Sequence, residues 1–181
     1  RVGCFALRDR GGMLLSAEHG FWSWDPVGGK LEHLFDVEAD RAQNRMNDGG
    51  CDRQGNLFAS SMSLSDPRQP TGACWRLTPD LRAELIADGL RIGNGIAFSP
   101  KGDVFYLADT PTNQVWAHPY DAVSGTIGER QVFVDTTDLA GLPDGATIDA
   151  EGCYWLAGVM GGQVYRFTPK GRLDRTIDVP I

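Results

Sequence analysis

The chain has 181 residues and a formal net charge of −7. This length suffices for one domain with a sizeable core, whereas the acidic balance and the lack of a lysine- and arginine-rich run argue against a nucleic-acid partner. The longest apolar runs are only a few residues long and no leader-like segment is visible, so we expect a soluble cytoplasmic protein without a membrane partner. The four cysteines, Cys4, Cys51, Cys74 and Cys153, show no CxxC spacing and are predicted to be buried thiols.

Short apolar or alternating segments, bounded by Gly, Pro, Asp and Asn, predict an all-β chain with sixteen strands in four groups of four. In chain order the predicted strands are 2–8, 13–17, 21–24 and 31–35; 47–52, 57–61, 73–77 and 83–87; 95–99, 104–108, 114–120 and 131–134; and 145–149, 154–157, 163–168 and 173–179. The segment between the sixth and seventh strands, 61–71, contains two prolines and is predicted to be a surface loop, with a lid as the less favoured interpretation.

One pattern occurs in every group: a polar turn, a glycine and then an apolar or aromatic strand. The glycines are Gly12, Gly55, Gly102 and Gly152, at intervals of 43, 47 and 50 residues. Propeller blades of four strands repeat at about 40–50 residues, so the repeat predicts a β-propeller. Because the chain starts and stops within strand-like sequence, we expect residues 1–181 to be a single propeller domain, incomplete at both ends, with about four blades.

The residue eight positions before each hairpin glycine points to a shared site. It is Asn47, Asn94 and Asp144 in the last three repeats and Cys4 in the first. First strands line the channel of a propeller, so these side chains are expected to converge at one end of it. The alternative is that Asn-Gly and Asp-Gly pairs only form turns, but turn propensity alone does not require the common phase.

Carboxylate and amide oxygens are ligands of Ca²⁺ or Mg²⁺, and such an ion polarises a carbonyl group. Arg45, two residues before Asn47, is expected on the same strand face, where its guanidinium could hold a substrate oxygen; a surface or inter-blade arginine is the alternative. The sequence contains neither a GxSxG elbow nor an HExxH motif, and its three histidines lie at unrelated phases of the repeat.

Four motifs together resemble the SMP-30/gluconolactonase/regucalcin family. They are Arg45-Met46-Asn47-Asp48-Gly49, the segment 92–100, the segment Tyr106-Leu107-Ala108-Asp109-Thr110, and Pro143-Asp144-Gly145. The resemblance extends over nearly the whole chain, in the family's order. It implies a six-bladed propeller with one divalent metal ion, Ca²⁺, Zn²⁺, Mg²⁺ or Mn²⁺, that acts on small-molecule sugar lactones.

The resemblance also implies residue roles. Asn94 and Asp144 match metal ligands, Asp144 also matches the residue that transfers the proton, and Arg45 and Asn47 match substrate contacts. The family's remaining ligand, a glutamate in a Gly-Glu-x-Pro-x-Trp motif, has no counterpart here, and Glu18 does not replace it because it lies in a later blade. In the loop at 63–70, where some members place a substrate-contacting glutamate, this chain has Ser65-Asp66-Pro67-Arg68, so the preference for ring hydroxyls is expected to differ.

The leading hypothesis is therefore a metal-dependent lactonase that hydrolyses an aldonolactone to the aldonic acid. One alternative keeps the metal and changes the substrate to a phosphotriester. The other is a calcium-binding regulatory or scaffold propeller without turnover. The sequence gives no indication of an oligomeric state.

Overall fold

The computed structural model describes residues 1–180, which form four antiparallel sheets. In three of these sheets, four strands pair in chain order. The remaining sheet has five strands, because β11 pairs with β13 in addition to β12 and β10. The strands of the first two sheets are β1 (Val2–Leu7), β2 (Met13–Ala17), β3 (Gly20–Asp25), β4 (Lys30–Asp36), β5 (Asn44–Cys51), β6 (Leu57–Ser63), β7 (Gly72–Leu77) and β8 (Ala83–Leu90). Those of the last two are β9 (Gly93–Phe98), β10 (Val104–Asp109), β11 (Gln114–Asp121), β12 (Thr126–Ile127), β13 (Gln131–Asp135), β14 (Leu142–Ile148), β15 (Tyr154–Val159), β16 (Gln163–Phe167) and β17 (Leu173–Asp178).

All sixteen predicted strands are confirmed, with ends that differ by up to three residues. The additional strand, β12, has two residues and pairs with the end of β11. A single turn of 3-10 helix, η1 (Thr110–Thr112), follows β10 and is the one helical element among the described residues. No helix in this part of the chain is long and apolar enough to cross a bilayer.

The glycine pattern reflects the geometry of the hairpins. Gly12, Gly55, Gly102 and Gly152 all have positive φ angles, between 72° and 82°, a backbone conformation in which glycine has no Cβ penalty. In two hairpins an aspartate completes the turn, because Asp52 accepts a hydrogen bond from the Gln54 amide and Asp149 accepts one from the Glu151 amide. The repeat seen in the sequence therefore marks a glycine with positive φ at the first hairpin of each sheet.

The described chain divides into two compact units. The first comprises Arg1–Cys51 and Gly55–Gly93. Its core lies between the first two sheets, where Phe21, Met46 and Leu57 are buried together. One face of the first sheet contributes little to this core, since Phe5 and Leu7 are 61% and 76% exposed.

The second unit comprises Asp52–Gln54 and the chain from Asn94 onward. Its core is rich in aromatic rings: Tyr154 is fully buried, with its ring centroid 5.2 Å from that of Tyr106 and 5.7 Å from that of Phe133. Aromatic pairs at this spacing add about 0.5–1.5 kcal/mol to the stability gained by burial alone. The Tyr154 ring is therefore held in one position by the surrounding aromatic rings.

The cysteine prediction is only partly right. Cys74 and Cys153 are buried and Cys4 is half-buried, but Cys51, the last residue of β5, is exposed. Burial raises the pKa of the Cys4 thiol to about 11 and raises that of Cys74 as well. Such thiols are poor nucleophiles, in agreement with packing roles.

The segment between β6 and β7 is a loop, as predicted. Its turn is stabilised locally, because the Arg68 backbone and guanidinium both donate to the Asp66 carboxylate at 3.0 Å. The Leu64 amide also donates to the carbonyl of Gln43 at 2.8 Å, which ties the start of the loop to the approach to β5. A role of this loop as a lid stays a prediction.

Candidate metal site

The three polar residues that share one phase of the repeat lie inside strands. Asn47 is in β5, Asn94 is the second residue of β9 and Asp144 is the third residue of β14. The interpretation of these residues as hairpin turns is therefore wrong, and β5 and β14 each begin three residues before the predicted start.

The backbone is irregular at all three positions. Pairing of β5 with β6 is interrupted between Met46 and Gly49, and pairing of β14 with β15 is interrupted between Pro143 and Ala146. In β9 the irregularity is at Gly95, the residue after Asn94, which has a φ of 62°. Bulges of this kind turn a side chain out of the regular alternation and are frequent beside functional sites.

Asn94 is 4% exposed, and its side chain is held by a hydroxyl group. Its Nδ2 donates to Thr110 Oγ1 at 2.8 Å, and Thr110 Oγ1 donates to the carbonyl oxygen of Pro143 at 2.8 Å. A hydroxyl has one hydrogen, and a carbonyl oxygen can only accept, so the threonine hydrogen is directed to Pro143. The amide of Asn94 must therefore face Thr110 with its nitrogen, and its Oδ1 is directed to the other side.

Asp144 follows Pro143 directly and is half-buried. Its backbone lies beside that of Asn94, since a Cβ placed on Gly95 would be 3.3 Å from the Asp144 carbonyl oxygen. The structure thus places the backbone of Asp144 next to Gly95, the residue after Asn94, within the second unit. An amide oxygen and a carboxylate are ligands that suit a hard divalent cation.

Gly95 fixes the backbone beside Asn94. Besides its positive φ, it leaves space for the hydroxyl of Tyr154, which would be 2.4 Å from an added Cβ, and this hydroxyl donates to the Gly95 carbonyl at 2.7 Å. Tyr154, which is fully buried in the core of the second unit, therefore anchors the strand that carries Asn94.

Arg45 and Asn47 lie in β5 of the first unit. Asn47 Nδ2 donates to the Gly93 carbonyl at 3.0 Å, an acceptor that also receives the Ser60 hydroxyl at 2.7 Å. Arg45 is half-buried and donates through Nη1 to the Met46 carbonyl at 2.9 Å. Burial lowers the pKa of Arg45, and the positive charge of Arg1 acts in the same direction.

A second group of possible ligand atoms lies in the hairpin after β14. Oxygen and sulfur atoms of Asp149, Glu151 and Cys153 are all within 4.8 Å of one another. Arg166 already pairs with both carboxylates of this group, because it donates to Asp149 at 2.9 Å, to Glu151 at 2.5 Å and also to Asp174 at 2.7 Å. These residues fit an ion-pair cluster better than a metal site.

Asp149 shows the effect of that cluster. Burial acts to raise its pKa, but hydrogen bonds from Trp155 Nε1, the Cys153 amide and Arg166 outweigh burial and lower the pKa to about 2. With its two oxygens occupied by these donors, the carboxylate has little capacity left for a cation.

Sequence reasoning missed Thr110. The residue stood within the quoted segment 106–110, directly after a strand and before Pro111, but it carries no charge and does not share the phase of the ligand positions. The signal that could have found it is a hydroxyl residue before a proline at a strand end.

Comparisons with known proteins agree with this architecture. The family described as SMP-30/Gluconolactonase/LRE-like region matches residues 1–181. A 6-deoxy-6-sulfogluconolactonase of Pseudomonas putida is 34% identical over 99% of this chain and 61% of its own length. The chain thus spans about three fifths of this relative.

Two solved structures are also similar. A calcium-binding protein, regucalcin, from Agrobacterium tumefaciens has a TM-score of 0.91 at 29% identity, over 97% of this chain and 59% of that one. A gluconolactonase from Xanthomonas campestris has a TM-score of 0.79 at 25% identity, over 99% and 62% of the two chains. The four sheets are thus part of a β-propeller, and the chain belongs to the SMP-30/gluconolactonase/LRE-like family.

Proposed function

We propose that the protein is a metal-dependent lactonase that hydrolyses a sugar lactone, an aldonolactone, to the open acid. The observation that carries the proposal is the pair of Asn94 and Asp144, with the amide oxygen of Asn94 directed away from Thr110. Its family relatives named as lactonases of Pseudomonas putida and Xanthomonas campestris support the same reaction class.

The residues present fit a divalent cation. Asn94 Oδ1 and the Asp144 carboxylate would hold it, and the remaining coordination positions would be filled by water, substrate or another oxygen ligand. When bound, the ion supplies Lewis-acid polarisation of a carbonyl group. Ca²⁺, Zn²⁺, Mg²⁺ and Mn²⁺ are all compatible with this donor pair.

The protein's own groups supply the proton transfer. The Asp144 carboxylate takes a proton from the attacking water as the water oxygen bonds to the lactone carbonyl carbon. The bond from that carbon to the ring oxygen then breaks, and the ring oxygen receives the proton. The products are a carboxylic acid and a free hydroxyl, so atoms and charge balance.

Arg45 and Asn47 are proposed to orient the sugar, as their place in the family motif implies. The Arg45 guanidinium offers several donors in a fixed plane, which suits hydroxyl and carbonyl oxygens. Asn47 donates its side-chain nitrogen to the Gly93 carbonyl, and this hydrogen bond fixes the orientation of its amide group. A cytoplasmic location and the absence of nucleic-acid and membrane partners stay predictions from the sequence.

The test is hydrolysis of a panel of aldonolactones by the full-length protein, before and after treatment with a chelator and after return of each metal. We expect turnover that chelation abolishes, and a loss of at least about 100-fold in kcat/KM for Asp144→Asn, the size of a general acid–base contribution. The exposed Asp138→Asn is the matched control and should be unchanged. Turnover indifferent to chelation and to Asp144→Asn would disprove the mechanism.

One further candidate is favoured by the similarity to a calcium-binding regucalcin. In that case the protein binds Ca²⁺ as a regulatory module and turns over no substrate. It predicts Ca²⁺ binding that Asn94→Ala weakens, together with no hydrolysis of any lactone in the panel. A phosphotriester included in the same panel tests the remaining substrate class.

A further inference from the structure

Thr110 is a buried, uncharged residue of the second unit, and its hydroxyl bonds to two neighbouring segments. It is 5% exposed and forms the first residue of η1, between the strand β10 and Pro111. Its hydroxyl contacts both the side chain of Asn94 and the backbone immediately before Asp144. One hydroxyl therefore joins the two residues proposed to bind the metal.

We infer that Thr110 is a positioning residue that sets the orientation of both metal-binding groups, an inference that rests on the proposed metal site. If the Asn94 amide turned by 180°, its oxygen would face Thr110 Oγ1, whose hydrogen is directed to Pro143. Two acceptors would then oppose each other in a buried place, which costs about 1–3 kcal/mol. The hydroxyl thereby keeps Oδ1 on the side away from Thr110.

The same hydroxyl acts on Asp144 through the main chain. The Pro143 carbonyl belongs to the planar peptide group that continues into the Asp144 amide nitrogen. By donating to this carbonyl at 2.8 Å, Thr110 fixes the plane of that peptide at the bulge in β14. A bulge has fewer ladder hydrogen bonds than a regular strand, so a side-chain donor has more influence there.

Thr110 itself is held on a rigid support. Pro111 restricts its own φ angle, and the Asn113 amide donates to the Thr110 carbonyl at 3.2 Å. Asn113 ends the helical turn with a φ of 56°, and its carbonyl accepts the Thr136 amide at 2.8 Å. The threonine hydroxyl is therefore positioned by its backbone before any ligand binds.

Thr112 provides a matched control in the same helical turn. Its hydroxyl donates to the Asp109 carbonyl at 2.7 Å, so it also makes a local hydrogen bond, but to a different acceptor. A variant at Thr112 therefore reports what the loss of a hydroxyl costs η1 in general. A variant at Thr110 reports that cost and the loss of orientation at Asn94 and Asp144.

The experiment is a Mn²⁺ titration of the full-length protein followed by electron paramagnetic resonance of the free ion, without lactone. Thr110→Val keeps the shape and removes the hydroxyl, and should weaken Mn²⁺ binding by about 10–100-fold, the usual effect of losing a group that orients a metal ligand. Thr110→Ser should restore wild-type affinity, and Thr112→Val should leave it unchanged. Thermal melts in chelator identify any variant that fails to fold.

Each outcome decides the inference. Equal Mn²⁺ affinity for the wild type and Thr110→Val overturns it, and so does an equal loss in Thr110→Val and Thr112→Val, which would show a general effect on η1. A wild type that binds no Mn²⁺ overturns it together with the metal site. If the wild type binds Mn²⁺ and the variants behave as expected but no lactone is hydrolysed, the positioning role stands and the lactonase proposal fails.

Discussion

The two ends of β14 both carry carboxylates, but their surroundings differ. Asp144, near the start of the strand, follows Pro143, whose carbonyl accepts from the same Thr110 hydroxyl that receives the amide nitrogen of Asn94. Asp149, just after its end, accepts hydrogen bonds from Arg166 and Trp155 and has its pKa lowered to about 2. Closeness of acidic groups alone therefore does not identify a cation site, and the groups already paired with them must be considered.

This contrast explains why the cluster in which potential ligand atoms lie nearest to one another is not the proposed metal site. The ligand atoms of Asp149, Glu151 and Cys153 are within 4.8 Å of one another, yet Arg166 already donates to both carboxylates. Beside the start of β14 the Asn94 amide faces Thr110 with its nitrogen, so its oxygen is directed away from that residue. The following changes test this difference, beginning with the largest effect.

Gly95→Ala in β9 is expected to have the largest effect on stability, because Gly95 packs against both Tyr154 and the backbone of Asp144. An added Cβ would lie 2.4 Å from the Tyr154 hydroxyl at a φ of 62°, so strain and overpacking act together. We expect a loss of about 3 kcal/mol in the free energy of unfolding, measured by urea denaturation. Gly145→Ala is the matched control, because nothing lies within 4 Å of its added Cβ, and it should change stability by less than about 0.5 kcal/mol.

Equal destabilisation by the two alanine variants would contradict the account. It would mean that the backbone at Gly95 relaxes without strain, and that Tyr154 does not fix the strand carrying Asn94.

Asn94→Ala and Asn47→Ala distinguish the proposed metal ligand from the proposed substrate contact, although both residues occupy the same position in the repeat. Removing the proposed ligand should weaken metal binding by at least about 100-fold, more than the loss of an orienting group. Asn47→Ala should leave metal affinity within a few-fold of the wild type and raise KM for the lactone. Calorimetric titration with the metal and steady-state kinetics give the two readouts, and a large loss of metal affinity in Asn47→Ala would contradict the assignment.

Asp149→Asn is expected to lower the stability of the fold by an amount that depends on pH, and to leave metal binding unchanged. Since the pKa of Asp149 is about 2 in the folded protein and about 3.9 for an unfolded aspartate, its ionised form stabilises the fold above about pH 4. This contribution is lost as the pH falls towards 2. The melting temperature of the wild type should therefore exceed that of the variant at pH 5, and the difference should shrink at low pH.

The exposed Asp138→Asn is the control for the substitution itself and should leave the melting temperature at pH 5 close to that of the wild type. A constant difference between the wild type and Asp149→Asn over the same range would show that the ion pairs with Arg166 do not determine the stability of this hairpin.

Most of the fold was predictable because it depends on local signals. The strands follow apolar alternation, and the hairpin glycines adopt the positive φ angles that their position in the repeat implies. The early start of β14 was missed because Pro143 normally interrupts a strand, but β14 is an edge strand of its sheet, where a proline is tolerated. β12 was missed because two residues give no periodic signal.

The candidate site was predictable in part. The common phase of Asn47, Asn94 and Asp144 was visible in the sequence, and the backbone irregularities at these residues agree with it. The hydrogen bond between Thr110 and Pro143 joins residues that are 33 positions apart, so no local pattern reports it. The neutralisation of Asp149 by Arg166 depends in the same way on strand pairing.

The proposed function depends on a divalent metal ion bound to Asn94 and Asp144. The most direct measurement is an anomalous difference map from crystals of the full-length protein grown with Mn²⁺. We expect one strong peak within about 2.0–2.4 Å of Asn94 Oδ1 and of an Asp144 carboxylate oxygen, the range for an oxygen-bound divalent ion. A peak at Asp149 and Glu151 with none beside Asn94 would contradict it.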